Sequence, residues 1–277
     1  MLGASIMWAI EPVVAKLSFT NANFLQTSTV RALVVVLCAL VYVGLKSRRD
    51  LKITSRQIPP LVYLGLVGTL FADLLYFFAL ETVPVMNAVL IGHLQPVFIV
   101  FMGFVWLKGE VLHTYDYIGI IFMMSSALLV TSQTVGNLVN FHLGTWGDLM
   151  VLAATVAWAS AAVVMRRFVR GMHAGVITFY RFLVASGAFI VYAGLTSGIA
   201  IANIYQILVG VVVGIGTIFY YEGLKRVKTA QVAALELTSP FFALVLGFIV
   251  LNETVTVLQG IGMGLVIISV LILGRRE

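Results

Sequence analysis

Seven ionisable residues stand inside otherwise apolar runs of the chain: Glu11, Arg31, Asp73, His93, Arg181, Glu222 and Glu236. In hydrocarbon each costs about 2.5–3.5 kcal/mol on insertion scales, so each needs a partner or a task. Histidine, with an ordinary pKa of about 6.5, is suited to gating or carrying protons; the alternative for His93 is a hydrogen-bonded place in the core. Glu236 stands four residues before Pro240 in ALELTSPFFALVLGFIVLNE, and proline lacks an N–H and crowds the carbonyl at i−4, here that of Glu236 itself. Pro96 does the same to Gly92, the neighbour of His93. Each proline thus loosens backbone beside a titratable side chain, and such backbone lines a cavity only where protein or water satisfies it. The competing reading is a kink that serves packing alone. Arg31 and Arg181 either brace the scaffold or grip an anionic group, and Arg31 has Glu11 and Asp73 as candidate partners. Tyr76 and Tyr220, with Phe77, Phe78 and Tyr221, either line the same space or pack the core. Glu222 has Lys225 and Arg226 at i+3 and i+4, the spacing of a helical ion pair, and Lys16 is expected to snorkel to an interface.

The elements that hold these residues are membrane helices. Of 277 residues 61% are hydrophobic and 10% charged, against about 25% charged in a soluble domain. Mean hydropathy is +1.07. At about 20 residues per crossing, ten segments are expected, at 1–19, 24–45, 59–80, 84–107, 115–132, 147–166, 174–196, 203–224, 229–251 and 254–274. The apolar sequence starts almost at Met1, which leaves a short first helix and suggests a trimmed start. Fourteen of the 17 basic residues fall after even-numbered segments, and the loops after odd-numbered ones hold neither Lys nor Arg. The positive-inside rule then places both termini in the cytoplasm, in a membrane expected to be the prokaryotic plasma membrane. The net charge of +6 is spread over these short loops and does not point to nucleic acid. One cysteine, Cys38, excludes an internal disulfide and a cysteine metal cluster; it reads as a small packing or lipid-facing residue. No metal-ligand motif, HExxH, GxSxG or nucleotide-binding P-loop is present, so no metal, cofactor or direct use of ATP is expected and an enzyme is disfavoured.

The halves resemble each other. At an offset of 144, Leu66 to Val83 aligns with Gly210 to Val227, and Ile91 to Leu107 with Leu235 to Leu251, placing Pro96 on Pro240. One inserted residue later Glu110 meets Glu253. Near the start of each half the offset is 150: Trp8 meets Trp158, Lys16 meets Arg166, and Arg31 meets Arg181. A unit of five helices inverts when duplicated, so residues 1–135 and 136–277 are expected to be inverted repeats within one membrane domain. Gly210 with Gly214, and Gly260 with Gly264, have the small-xxx-small spacing that lets helices approach closely.

WAIEPVVAK, the Arg31 helix, YFFALETVPVMNAVLI, LQPVFIVFMGFVWLKGE and IGIIFMMSSALLV resemble one half of an EamA-type transporter, of the drug/metabolite transporter superfamily. GDLMVLAATVAWASAAVVMRR, FYYEGLKRVKTAQVAALELTSPFFALVLGFIVLNE and LQGIGMGLVIISVLIL resemble the other. The resemblance implies an all-α protein of ten transmembrane helices, a central cavity, and export or exchange of small metabolites by alternating access. Ala9 follows Trp8 where the family often has Gly, and Glu11 is not a family hallmark, which marks Glu11 as particular to this protein's substrate. The expected cargo is a small amphipathic metabolite, an amino acid or organic cation, with Glu11, His93 or Glu236 as sites of proton exchange. Nucleotide-sugar or sugar-phosphate exchange is the rival, and would want more cavity cations than Arg31 and Arg181; a channel-like permease is a further one. The partners expected are the solute and the bilayer, with monomer or homodimer left open.

Overall fold

A computed structural model of the chain describes residues 2–46, 51–106, 114–140, 144–169, 171–224 and 238–273. The described residues are helical or lie in short connections, with no strand among them. Helix α1 runs Leu2–Ser18 with Pro12 inside it, and α2 runs Phe24–Lys46. A composite rod follows: a 3-10 turn, α3 (Ile58–Gly65), a π-helical stretch (Leu66–Phe71) and α4 (Ala72–Leu80). Then come α5 (Val85–Gly92), α6 (Gln95–Trp106), α7 (Thr114–Ser132), the one-turn α8 (Val135–Val139), α9 (Trp146–Phe168), α10 (Ala174–Leu195), α11 (Ile204–Leu224), α12 (Thr238–Leu251) and α13 (Val257–Leu273).

Five of these spans are long and apolar enough to cross a membrane: Phe24–Lys46, Ser55–Leu80, Trp146–Phe168, Ala174–Leu195 and Ile204–Gly223. Shorter apolar helices account for the rest, and an integral membrane protein is the outcome. Its outer face agrees: Leu45 and Leu195 are each 82% exposed, and Leu37, Val41, Ile121, Met124, Val191, Phe248 and Ile249 are also bare. Water would penalise such a surface, whereas lipid does not.

Local chemistry explains several boundaries. Thr145 and Asp148 close a capping box at the start of α9, with Thr145 N–H donating to Asp148 Oδ2 at 2.8 Å and Asp148 N–H to Thr145 Oγ1 at 3.2 Å. The expected fourth segment is one apolar run but two helices, broken at His93–Leu94. Pro96 thus falls in the first turn of α6, where its missing N–H costs nothing. The connection between the fifth and sixth expected segments holds the short α8, capped by Thr134.

Packing pairs follow the internal alignment. α1 lies against α11 and α12, while α9 lies against α4, the π-helical stretch, α5 and α6. α2 packs on α10 and on α11; α10 packs on α3; α7 and α13 pair with each other. Exchanging α1 with α9, α2 with α10, α3–α4 with α11, α5–α6 with α12 and α7 with α13 maps this set onto itself, consistent with a two-repeat architecture. Only one of the two glycine pairs serves a helix crossing. A Cβ on Gly210 would sit 2.5 Å from Val34 Cβ, and one on Gly214 would sit 2.8 Å from Cys38 Cβ, so α11 and α2 touch nearly backbone to backbone and Cys38 is a packing residue. Gly260 and Gly264 have nothing within 4 Å of that position, which corrects the expectation that they admit a neighbouring helix among the described residues.

Candidate functional site

Depth along the helices brings the charges together. Glu11 lies seven residues before the end of α1, Arg31 seven after the start of α2, and Asp73 seven before the end of α4. At about 1.5 Å per residue all three lie about 10 Å inside the same end of the bundle. There Arg31 donates from Nη1 to Glu11 Oε1 at 3.0 Å and from Nη2 to Asp73 Oδ2. Trp158 Nε1 donates to the other oxygen, Asp73 Oδ1, at 3.0 Å. Arg31 is 2% exposed and Asp73 4%, so the cluster is withdrawn from solvent, and the guanidinium carbon lies 4.5 Å from the centre of the Phe77 ring. Both candidate partners of Arg31 are therefore engaged at once. A buried cation held by two carboxylates and an aromatic face is the arrangement that offsets desolvation.

Arg181, its counterpart, lies seven residues after the start of α10, hence about 10 Å inside the opposite end. Its partners are neutral: Nε donates to Thr69 Oγ1 at 2.5 Å, Nη1 to Tyr221 Oη at 3.0 Å, and Nη2 to the Gly68 carbonyl at 2.6 Å. Gly68 and Thr69 belong to the π-helical stretch, whose i→i+5 pattern leaves a carbonyl free to accept from a side chain. Arg181 thus braces this turn, and among the described residues it meets no carboxylate within ion-pair distance.

Between the arginines is a cavity of about 220 Å³, lined by Glu11, Arg31, Asp73, His93 and Arg181 and by aromatic rings. The rings form two pairs: Trp8 with Tyr220 at 4.8 Å between centroids, and Trp158 with Tyr76 at 5.1 Å. The internal alignment exchanges one pair with the other, since Trp8 matches Trp158 and Tyr76 matches Tyr220. Tyr76 and Tyr220 therefore line the space that the sequence reading offered them as one of two roles. His93 stands at the break between α5 and α6 and also lines the cavity; its Nδ1 lies 2.7 Å from the Val89 carbonyl. Pro240 is buried in the first turn of α12, and its neighbour Ser239 lines the cavity. Glu236, Lys225 and Arg226 lie outside the described residues. Glu222 faces Lys46 at 4.0 Å.

Two features escaped the sequence reading. Lys16 does not snorkel: its Nζ lies 3.0 Å from Glu253 Oε1, and that oxygen also accepts from the Val85 N–H at 3.0 Å. One carboxylate thereby ties the end of α1, the start of α5 and the turn after α12. The pairing crosses 237 positions, and neither residue type nor spacing announces it. The second is Trp158, whose N–H completes the Asp73 site. Its match to Trp8 was visible, but its partner was not.

The arrangement, in which charges and rings from both halves converge on one cavity, fits a solute-handling membrane protein, and comparison with known proteins agrees. The model of the EamA-like transporter family matches residues 1–132 and 145–275. An uncharacterized transporter of Synechocystis, sll1164, is 25% identical over 223 residues, 76% of this chain and 64% of that protein. An uncharacterized transporter of Methanothermobacter thermautotrophicus is 23% identical, over 81% of this chain and 66% of that one, and the Bacillus subtilis transporter YyaM is 25% identical, over 76% and 71%. The chain thus spans just under two thirds of the length of the first two relatives. A solved structure titled only as the crystal structure of a protein superposes with a TM-score of 0.70 over 100% of this chain and 98% of that one, at 20% identity, a likeness of fold. With the family model covering nearly all of both halves, the chain belongs to the EamA-like transporter family.

Proposed function

We propose that the chain is a secondary carrier that exports or exchanges a small amphipathic metabolite, an amino acid in preference to an organic cation, by alternating access between two inverted five-helix repeats, residues 1–135 and 136–277. The observation that supports the reading is the cavity of about 220 Å³ shared by the two halves, with acidic groups clustered at one side and an arginine at the other. That volume is below the roughly 300–1,000 Å³ of sites for drug-sized ligands, which favours a small solute over a nucleotide sugar. Arg31 is committed to two carboxylates, so one described arginine is left for a substrate anion, which further weakens the phosphate reading. The Lys16–Glu253 contact supports a role as a latch at the end of the bundle opposite the predicted cytoplasmic face. Glu11 and His93 line the cavity and are the described candidates for proton exchange, with Glu236 beside them in the sequence argument. The distribution of basic residues supports cytoplasmic termini, and the membrane proposed is the prokaryotic plasma membrane.

Reconstitution into proteoliposomes tests the carrier reading. Saturable flux stimulated by solute on the far side is the expected result. Flux that stays linear in concentration, without counter-transport, would instead describe a channel. Transport and pH dependence that survive His93→Ala and Glu236→Gln unchanged would remove both residues from coupling.

A further inference from the structure

The two repeats carry the same arginine but not the same acids. By the offset of 150, the position equivalent to Glu11 is Ala161; by the offset of 144, the position equivalent to Asp73 is Thr217. Depth confirms the equivalence: Ala161 lies seven residues before the end of α9 and Thr217 seven before the end of α11, as Arg181 lies seven inside α10. Both residues line the cavity. The second repeat therefore builds the cradle around its arginine and omits both carboxylates. Arg31 is held by Glu11 and Asp73, whereas among the described residues Arg181 is left with a carbonyl and two hydroxyls. The ring beside each arginine diverges in the same sense: Phe77 under Arg31 corresponds to Tyr221, whose hydroxyl accepts from Arg181.

We infer that the place left by the missing acids, between Arg181, Thr217 and Ala161, is the subsite for a carboxylate of the transported solute. The inference deepens the carrier reading and rests on it. Arg181 is half-buried and touches no carboxylate among the described residues, and the acids nearest it are those already bound to Arg31; a ligand that brings a carboxylate into direct contact recovers part of the cost of withdrawing the charge from water. Arg181 has five N–H donors, of which three are engaged among the described residues, leaving one on each terminal nitrogen to donate to a carboxylate. With both acids ionised, the Arg31 cluster, two acids to one cation, carries a net negative charge on the other side of the same cavity, which suits the cationic end of a zwitterion. A solute of no net charge thus leaves the cavity's balance unchanged.

The test reads thermal stability of the purified protein in detergent, apart from transport. The probes are the proteinogenic amino acids, each beside the amine lacking its carboxylate, with glycerol phosphate as the phosphate arm. Wild type is expected to be stabilised by one or more amino acids, at concentrations at least tenfold below those of the matching amines. Thr217→Asp supplies the missing acid. It is expected to melt above Thr217→Asn, its uncharged equivalent in size, without ligand, and to lose the amino-acid response. Amines as effective as amino acids, a panel in which no carboxylate stabilises wild type, or Thr217→Asp no more stable than Thr217→Asn would each overturn the inference. Stronger stabilisation by glycerol phosphate than by any carboxylate would overturn the assignment to carboxylate. Failure of the two readings is distinguishable. Saturable flux with no preference for a carboxylate removes the subsite and leaves the carrier, whereas carboxylate binding without saturable flux removes the carrier and leaves the subsite.

Discussion

Asp73→Ala tests whether the arginine cluster stabilises the fold. Asp73 accepts from Arg31 Nη2 and from Trp158 Nε1 at 4% exposure, so its loss strips two donors at once. Removing one partner of a buried ion pair costs about 3–5 kcal/mol. The lower figure applies here, because Glu11 continues to hold Nη1 at 3.0 Å and keeps Arg31 from standing as a lone charge. The Trp158 N–H, left without its acceptor, adds about 1 kcal/mol. The sum is about 4 kcal/mol, and at about 2 °C per kcal/mol for a chain of this size the melting temperature should fall by about 8 °C. Asp73→Asn keeps an acceptor for Trp158 and loses only the charge, so it should fall by roughly half as much. Differential scanning fluorimetry in detergent measures both, and Trp158 emission reports its own site. A melting temperature for Asp73→Ala within 1 °C of wild type would show that Arg31 finds its compensation elsewhere, and the account of the cluster would fail.

Three other contacts give distinct readouts. Lys16→Ala should destabilise by about 1–2 kcal/mol, between exposed and buried ion pairs because both side chains are about a fifth exposed, and the charge swap Lys16→Glu with Glu253→Lys should recover part of it in the same melt. Gly68→Ala places a Cβ 2.7 Å from Ala161 Cβ, two atoms fixed by helix backbones; a loss of about 1–3 kcal/mol is expected, and Ala161→Gly in the same chain should restore stability. Gly210→Ala should be costly, since its Cβ would lie 2.5 Å from Val34 Cβ, while Gly260→Ala should stay within about 0.5 kcal/mol of wild type. Equal melting of the two glycine variants would contradict the crossing of α11 on α2.

What could be read from the sequence follows from how expensive each feature is. Ionic side chains are so few in the apolar runs that Arg31 had only two nearby acids to choose between, and the fold uses both. Pro96 marked the break at His93–Leu94 because no other residue removes a backbone donor. The π-helical stretch at Leu66–Phe71 had no such marker: its residues are ordinary helix-compatible ones, and the Arg181 that bonds its Gly68 carbonyl stands on another helix. Glycine spacing identified four small residues equally, but spacing does not say whether a stripe faces a helix or lipid. Gly210 and Gly214 face α2, whereas Gly260 and Gly264 face nothing described. Lys16 read as a snorkelling residue because its partner stands at the far end of the chain, where only the folded pairing of α1 with α12 brings it near.

Duplication also explains why the two arginines were the hardest residues to judge. A repeated side chain invites one role for both copies, and bracing is the natural choice. Both do brace, but against different things. Arg31 holds acids supplied by its own repeat, and its charge is balanced without a ligand. Arg181 holds the π-helical turn of the other repeat through neutral groups and touches no carboxylate among the described residues. Where the repeats agree, as in the Trp8–Tyr220 and Trp158–Tyr76 pairs, the alignment reports the shared walls of the cavity. Where they disagree, at Glu11 against Ala161 and Asp73 against Thr217, one side of the cavity acquires a property the other lacks. On the proposed carrier reading, a cavity between duplicated halves needs such a departure to tell one end of its solute from the other, so the mismatched positions, rather than the matched ones, are where substitutions should change which solute is bound.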